Sequence, residues 1–248
     1  VLVAHSRPVM EHLYDLVRGS ESVVVLADQR GTLIHTVGHP QFERKAERVA
    51  LSCGASWLEE HRGTNAIGTA LAEGREVQIQ GAEHFLERNG FLTCAAAPIR
   101  SATGELVGVL DVSGDQHRFG AHTLGLARMA AQTIENRLIA DGARRHLRLQ
   151  LHAAPEGIGT PAEGLLVLSD DGWITGGNAA ALRLRRMGPQ ALGRSQVEGV
   201  LEARLEDLLA QQRRRPGEPM ALRLPGGRMV FVLASGGQVA IFDAKSNQ

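Results

Sequence analysis

Two cysteines and a short polar run carry what reactive chemistry the 248-residue sequence offers. Cys53 sits in "LSCGAS" and Cys94 in "LTCAAA". A thiol attacks only as a thiolate, so it needs a depressed pKa and a resolving partner in reach. Neither flank supplies a basic neighbour, so Cys94 reads first as a small buried hydrophobe. Residues 63–73, "GTNAIGTALAE", place Thr64 or Asn65 where a helix N-cap belongs, with Gly74 as the stop. Side chains and free backbone N–H groups at such a start can hold a carbonyl or hydroxyl oxygen. Capping alone explains the same residues. The ten histidines form no H-E-x-x-H or C-x-x-C grouping, and His35 and His39 straddle a strand end, so no metal site is expected.

The elements that position these residues follow from periodicity. Val9, Leu13, Leu16 and Val17 share one face of a helix over 5–19. "SVVVLA" (22–27) and "TLIHTVG" (32–38) read as a hairpin, followed by a polar helix near 41–50. "REVQIQ" (75–80) alternates like a strand, and "GAEHFLERN" (81–89) reads as a short helix or loop. "LTCAAAPIR" (92–100) and "LVGVLDVSG" (106–114) form two more strands around a "SATGE" turn. A long helix is expected over 122–150, with Leu124, Ala127, Ala131, Ile134 and Leu138 as its seam. That seam suits packing beside the N-terminal helix or beside the same helix of a second subunit.

The stretch 152–164, "HAAPEGIGTPAEG", carries the Pro and Gly of a boundary. Beyond it come "LLVLS" (165–169), "ITGG" (174–177), a helix capped by Asn178 and helical residues 197–213. The last pattern is a meander of 220–224, 228–234 and 238–242. Both halves therefore read as α+β, each an antiparallel sheet with helices.

Composition narrows the function classes. Lys plus Arg and Asp plus Glu both total 27, giving a formal net charge of zero. That excludes a bulk electrostatic grip on nucleic acid or an anionic membrane. The basic runs Arg144–Arg145 and Arg213–Arg215 read as solvated helix faces. No apolar stretch is long enough to span a bilayer, and two cysteines fit a reducing cytoplasm. The chain starts at Val1 without an initiator Met, as expected of a fragment.

Residues 51–114 carry the most specific signal. "GTNAIGTAL", "GAEHF", "TCAAAPI" and "GVLDVSG" in this order resemble the GAF domain of bacterial sigma-54-dependent activators. The type is that of regulators of acetoin catabolism and of the dihydroxyacetone-kinase operon. The second half resembles the PAS domain that follows in that family, on "EGLLVLSDDGWITGGNAAALRL" and the final meander. The resemblance implies two antiparallel-sheet sensory domains, GAF then PAS, joined by the long helix. The domains would be GAF over 1–151, a linker over 152–162 and PAS over 163–248.

A GAF domain implies a six-stranded sheet with a pocket beneath covering loops. The residues expected to line it are Trp57, Thr64, Asn65, Thr69, His84, Phe85 and Cys94. They suit a small, neutral, oxygenated metabolite. Trp57 brings a large apolar wall and one N–H donor. Closing a core is the bland alternative for Trp57, as capping is for Thr64 and Asn65. The resemblance attaches no role to Cys53.

In such activators an AAA+ ATPase and a Fis-type DNA-binding part follow. No G-x-x-x-x-G-K-[ST] loop is present, so this chain is expected to be the signal-receiving part and not an enzyme. No cofactor is implied. The second half has no cysteine for a flavin adduct, and 163–248 has no histidine for haem. Three functions compete. One is binding of a metabolite, relayed through helix packing in a homodimer formed by helix 122–150. Another is docking of metabolic-enzyme subunits. The remote third is a GAF-type methionine sulfoxide reductase using Cys53 and Cys94.

Overall fold

A computed structural model describes residues 1–17, 19, 21–117, 119–120, 122–144, 146–224 and 227–236. The chain is α+β and divides into two compact units, Val1–Leu138 and Ile139–Gln248. Among the described residues each has one five-stranded sheet whose strand pairs are all antiparallel.

In the first unit, helix α1 (Leu2–Val17) precedes the hairpin β1 (Ser22–Asp28) and β2 (Leu33–Gly38). Helices α2 (Pro40–Arg48), α3 (Glu59–Arg62) and α4 (Ala66–Glu73) follow. Strands β3 (Val77–Gln80), β4 (Leu92–Arg100) and β5 (Leu106–Asp115) complete the sheet, in the order β2-β1-β5-β4-β3. Among the described residues it has five strands, where a six-stranded sheet was expected.

The two faces of this sheet are covered differently. Val24, Leu26, Ala97, Ile99, Leu110 and Val112 pack with α1 and with α5 (Thr123–Gly142). Val23, Val25, Cys94, Ala96 and Val109 point to the opposite side, as period two requires. There they meet Phe42 and Ala46 of α2, Trp57, and Ala66, Ile67 and Ala70 of α4. The α1 face is set differently from the expected one. Met10, Leu13 and Val17 are buried, whereas Leu16 is 59% exposed.

The helix expected over 122–150 is shorter. It ends at Gly142, and residues 147–152 are strand β6 (Leu147–His152). The reason is the alternation "LRLQLH". Leu147, Leu149 and Leu151 face the second core, while Arg148, Gln150 and His152 are only partly buried. A two-residue period cannot keep one face of a helix apolar. The seam residues Ala127, Ala131 and Ile134 are buried in the first unit with the α1 residues, the intramolecular one of the two expected packings.

The second sheet also contains β7 (Gly164–Leu168), β8 (Ile174–Gly177), β9 (Met220–Arg223) and β10 (Met229–Gly236), ordered β8-β7-β6-β10-β9. Strand β6 is its middle strand. The segment 152–162, expected as a linker, runs from the end of β6 to β7 within this unit. Helix α6 (Ala179–Arg185) follows β8. The helical stretch 197–213 is in fact two helices, α7 (Val197–Leu201) and α8 (Leu205–Arg214). The break is at Glu202, whose φ of 52° is left-handed. The expected third strand of the meander, 238–242, lies outside the described residues. Trp173, at the β7–β8 turn, is 37% exposed.

Asn178 ties this unit together. Its Oδ1 accepts from Ala181 N at 2.9 Å, as an N-cap, and from Leu165 N at 2.9 Å. Its Nδ2 donates to Glu163 O at 2.8 Å. The residue is 2% exposed. Truncation strips one cap and leaves buried backbone groups unpaired. Asn178→Ala is expected to cost about 3 kcal/mol of second-unit stability. Urea unfolding followed by Trp173 emission measures it, and a cost below about 0.5 kcal/mol contradicts this account.

Candidate functional site

The core face under α4 contains a carboxyl group. Asp111 lies in the middle of β5, paired with Val25 of β1 and Ala96 of β4. Its relative exposure is 0%. Ser113, two residues on and therefore on the same face, pairs with Cys94 of β4. Ser113 Oγ is 2.6 Å from Asp111 Oδ2 and 2.9 Å from Cys94 Sγ. A hydroxyl carries one hydrogen. When it donates to the carboxyl, its lone pairs are left for the Cys94 S–H. Asp111 Oδ1 has no hydrogen-bond partner among the described residues.

Electrostatics follow from burial. Removal from water pushes the Asp111 carboxyl from 3.8 up to about 7, against the opposing pull of the Ser113 hydrogen bond. Burial, and then the neighbouring Asp111 charge, push the Cys94 thiol well above its ordinary value. Cys94 is therefore held as a thiol, the wrong state for nucleophilic attack. Cys53 is exposed, its Sγ 4.0 Å from Thr36 Oγ1.

Two more buried polar groups lie in the connection from β3 to β4. His84 is 4% exposed, and its Nδ1 is 3.0 Å from Gly81 O. A carbonyl only accepts, so Nδ1 carries the hydrogen and Nε2 is a bare acceptor. Nε2 has no partner among the described residues, and neither do Oδ1 and Nδ2 of the fully buried Asn89. Burial pushes the His84 pKa down, partly offset by the Gly81 carbonyl and Glu83, which favours the neutral ring. Buried polar atoms without partners are uncommon in folded proteins, and ordered water or a bound molecule is among the things that can supply the bond.

The cover over this face is fastened by backbone capture. Trp57, 1% exposed, donates Nε1–H to Ala50 O at 2.9 Å. Arg62 lies over its ring, 5.4 Å from the centroid. The same guanidinium donates to Ser56 O at 3.1 Å and Val49 O at 3.2 Å. Asn65 caps α4, with Gly68 N donating to its Oδ1 at 2.8 Å, and its Nδ2 donates to Gly63 O at 2.9 Å. A Cβ on Gly68 would stand 2.7 Å from Trp57 O, so helix and loop meet only because that position is glycine. Thr69 Oγ1 donates to Glu59 Oε1.

The seven residues expected in a pocket thus separate. Cys94 faces the buried carboxyl, through Ser113. Trp57, Asn65 and Thr69 have their polar atoms engaged within the cover. Thr64 is exposed and gives its carbonyl to Phe85 N at 3.1 Å. Phe85 is 72% exposed and lies across Gly63, outside the core. His84 is buried with one free acceptor. Asp111, Ser113 and Asn89 were not anticipated. A charged residue in the apolar run "LVGVLDVSG" was the available signal for the first. The second unit has a dent of about 320 Å³ beside Leu151, His152, Gly164, Ala180 and Arg183, with the Arg183 side chain in solvent. Among the described residues no group of three or more His, Cys, Asp or Glu is placed to hold a metal ion.

The raised carboxyl pKa makes stability depend on pH. The folded state binds the Asp111 proton more tightly than the unfolded chain does. Its contribution is fully present below about pH 3.8 and is lost as pH rises through about 7. At about 1.4 kcal/mol per pH unit the loss is on the order of 4 kcal/mol. Asp111→Asn removes this slope. Between pH 4 and 7 the wild-type stability is expected to fall relative to that variant, while the contribution of His84 cancels in the difference. Urea unfolding of both proteins across this range checks it, and parallel profiles contradict the assignment.

Comparison with known proteins places the chain. The family model described as the MimR N-terminal domain matches residues 1–136. The acetoin catabolism regulatory protein of Cupriavidus necator is 34% identical over 238 residues, covering 92% of this chain and 34% of that protein. The acetoin dehydrogenase operon transcriptional activator AcoR of Bacillus subtilis is 36% identical over 144 residues, covering 58% and 24%. The propane 2-monooxygenase operon transcriptional activator MimR of Mycolicibacterium smegmatis is 35% identical over 139 residues, covering 55% and 24%. The chain therefore spans about a third or less of the length of these relatives. Among solved structures, the E. coli DhaR(N)–DhaL complex contains a chain of similar fold, with a TM-score of 0.56 at 16% identity, covering 94% of this chain and 85% of that one. None of the described helices is long and apolar enough to cross a membrane. With more than half of its residues matched by that model, the chain belongs to the MimR N-terminal domain family.

Proposed function

We propose that the chain is the signal-receiving region of a sigma-54-dependent transcriptional activator. It is a GAF domain followed by a PAS domain and acts in the cytoplasm. It is a regulatory module, not an enzyme. Its relatives are named as an acetoin catabolism regulatory protein and as transcriptional activators of an acetoin dehydrogenase operon and of a propane 2-monooxygenase operon. The signal is a small, neutral, oxygenated metabolite bound on the core face under α4. One observation carries this reading. That face holds a fully buried carboxyl, one oxygen of which has no hydrogen-bond partner among the described residues. His84 and Cys94 belong to the expected contacts. Trp57, Thr64, Asn65, Thr69 and Phe85 contribute as the cover. Ligand binding would favour one packing of the helices over another and pass the bias to the ATPase expected to follow. Self-association through the helix ending at Gly142 would serve as the relay.

Docking of a metabolic-enzyme subunit is the second reading. The 72% exposed Phe85 favours it, because a large solvated aromatic on a covering loop suits a protein contact. The fold shared with DhaR(N) is compatible with it.

A thermal-melt screen of the 248-residue chain against small ketones, aldehydes, diols and polyols separates the two. A ligand at about 100 times its Kd adds roughly 2.7 kcal/mol, or several degrees. The expected result is a selective shift that shrinks in His84→Ala. No shift with any compound, together with capture of a kinase subunit that Phe85→Ala abolishes, replaces the metabolite reading by docking.

A further inference from the structure

The second unit offers a concave surface of its own. The dent of about 320 Å³ lies between the end of β6, the start of β7 and the outer side of α6. Leu151, Ala162, Gly164, Ala180 and Leu184 give it short or apolar walls. The floor is fixed in place. A Cβ on Gly164 would stand 2.9 Å from Ala181 Cα, so β7 and α6 meet there backbone to backbone. His152 closes one end. Its ring lies over Gly157, where any side chain would collide with it, and its Nδ1 is 3.1 Å from Ala154 N and 3.0 Å from Ala154 O. Nδ1 is thereby committed to the backbone, which holds the ring as a wall. Charge is one-sided. Arg183 lines the dent and no acid does. The Arg183 guanidinium makes no ion pair with another described residue. Glu163, which sits between two lining residues in the chain, faces other donors. Its Oε2 accepts from Gln150 Nε2 at 3.0 Å and from Gly159 N at 2.7 Å.

We propose that this dent binds a small monocarboxylate, its carboxylate paired with the Arg183 guanidinium and its hydrocarbon body laid on Leu151, Ala180 and Leu184. The site belongs to the second unit and does not depend on the metabolite reading of the first. Apolar walls beside one uncommitted cation are complementary to an anion that carries a carbon body. The planar guanidinium can meet both carboxylate oxygens at once. The walls discriminate against inorganic anions, which gain nothing from apolar contact. The single cation discriminates against dicarboxylates, whose second charge would be set against apolar surface without a partner. An uncharged ligand of the same skeleton leaves the guanidinium to water and gains only the apolar contact.

Titration of the isotope-labelled 248-residue chain with hexanoate, hexan-1-ol and sulfate, followed by amide NMR shifts, tests this. Hexanoate is expected to shift the amides of Ala153, Gly164 and Ala180 saturably. Hexan-1-ol and sulfate are expected to bind about tenfold more weakly, as for a lost charge-assisted hydrogen bond or a lost apolar contact. Arg183→Gln changes an exposed side chain, so the fold is kept, and it is expected to lose about tenfold in hexanoate affinity. Ala180→Leu fills the dent with a good helix former and is expected to lose as much. Arg213→Gln, an exposed cation on α8 that does not line the dent, is expected to leave the affinity unchanged. No saturable shift with hexanoate overturns the site. Equal affinity for hexanoate and hexan-1-ol, or unchanged affinity in Arg183→Gln, overturns the charge pairing and with it the proposal. Sulfate binding as tightly as hexanoate overturns the organic class. Shifts confined to first-unit amides overturn the second-unit site and leave the first-unit reading to its own melt screen.

Discussion

An ionisable group in the middle of an apolar sheet face must find its hydrogen bonds close by or carry the cost of desolvation. Asp111 finds only part of them. The register of β4 against β5 sets Ser113 two residues along the strand and Cys94 opposite it. The network is therefore written into strand pairing. A one-residue slip of β5 would turn Asp111 and Ser113 to the α1 side and put Leu110 and Val112 in their place. Fixing that register is the task of the whole first sheet, with Asp111 next to β1 on one side and β4 on the other.

The cover meets a different constraint. Helix α4 must lie close to the sheet, yet residues 49–65 make no sheet ladder of their own beyond a bridge at Ser56. Their backbone carbonyls are taken up by side chains instead. Trp57 takes Ala50, Arg62 takes Val49 and Ser56, and Asn65 takes Gly63. Such bonds contribute about 1 kcal/mol each, but together they leave the loop few alternative arrangements. Trp57 and Asn65 are buried for this reason, and their chemistry is spent on structure.

Patterns that recur locally were legible in the sequence. The hairpin of β1 and β2, the Asn65 and Asn178 caps and the strand pair β4–β5 all announce themselves within ten or so residues. The helix overrun past Gly142 arose where two periods meet. Leu138 closes a helical seam, and Leu147 opens an alternation that only β7 and β10 explain. The candidate site was harder to read, because its buried carboxyl looks ordinary in one dimension. Asp111 is a single acid in a hydrophobic strand, and its meaning lies in a face defined by β1 and β4. Phe85 is not placed by its neighbours in the chain: an aromatic beside a buried histidine is itself on the surface.

The chain carries only two tryptophans, and they fall one to each unit. Trp57 is sealed in the first core beneath a guanidinium, whereas Trp173 stands partly in water on a turn of the second. The molecule thus holds two intrinsic fluorophores of opposite polarity. Loosening of the cover over Asp111 exposes one indole, with its emission moving to the red. The other reports independently on the second unit.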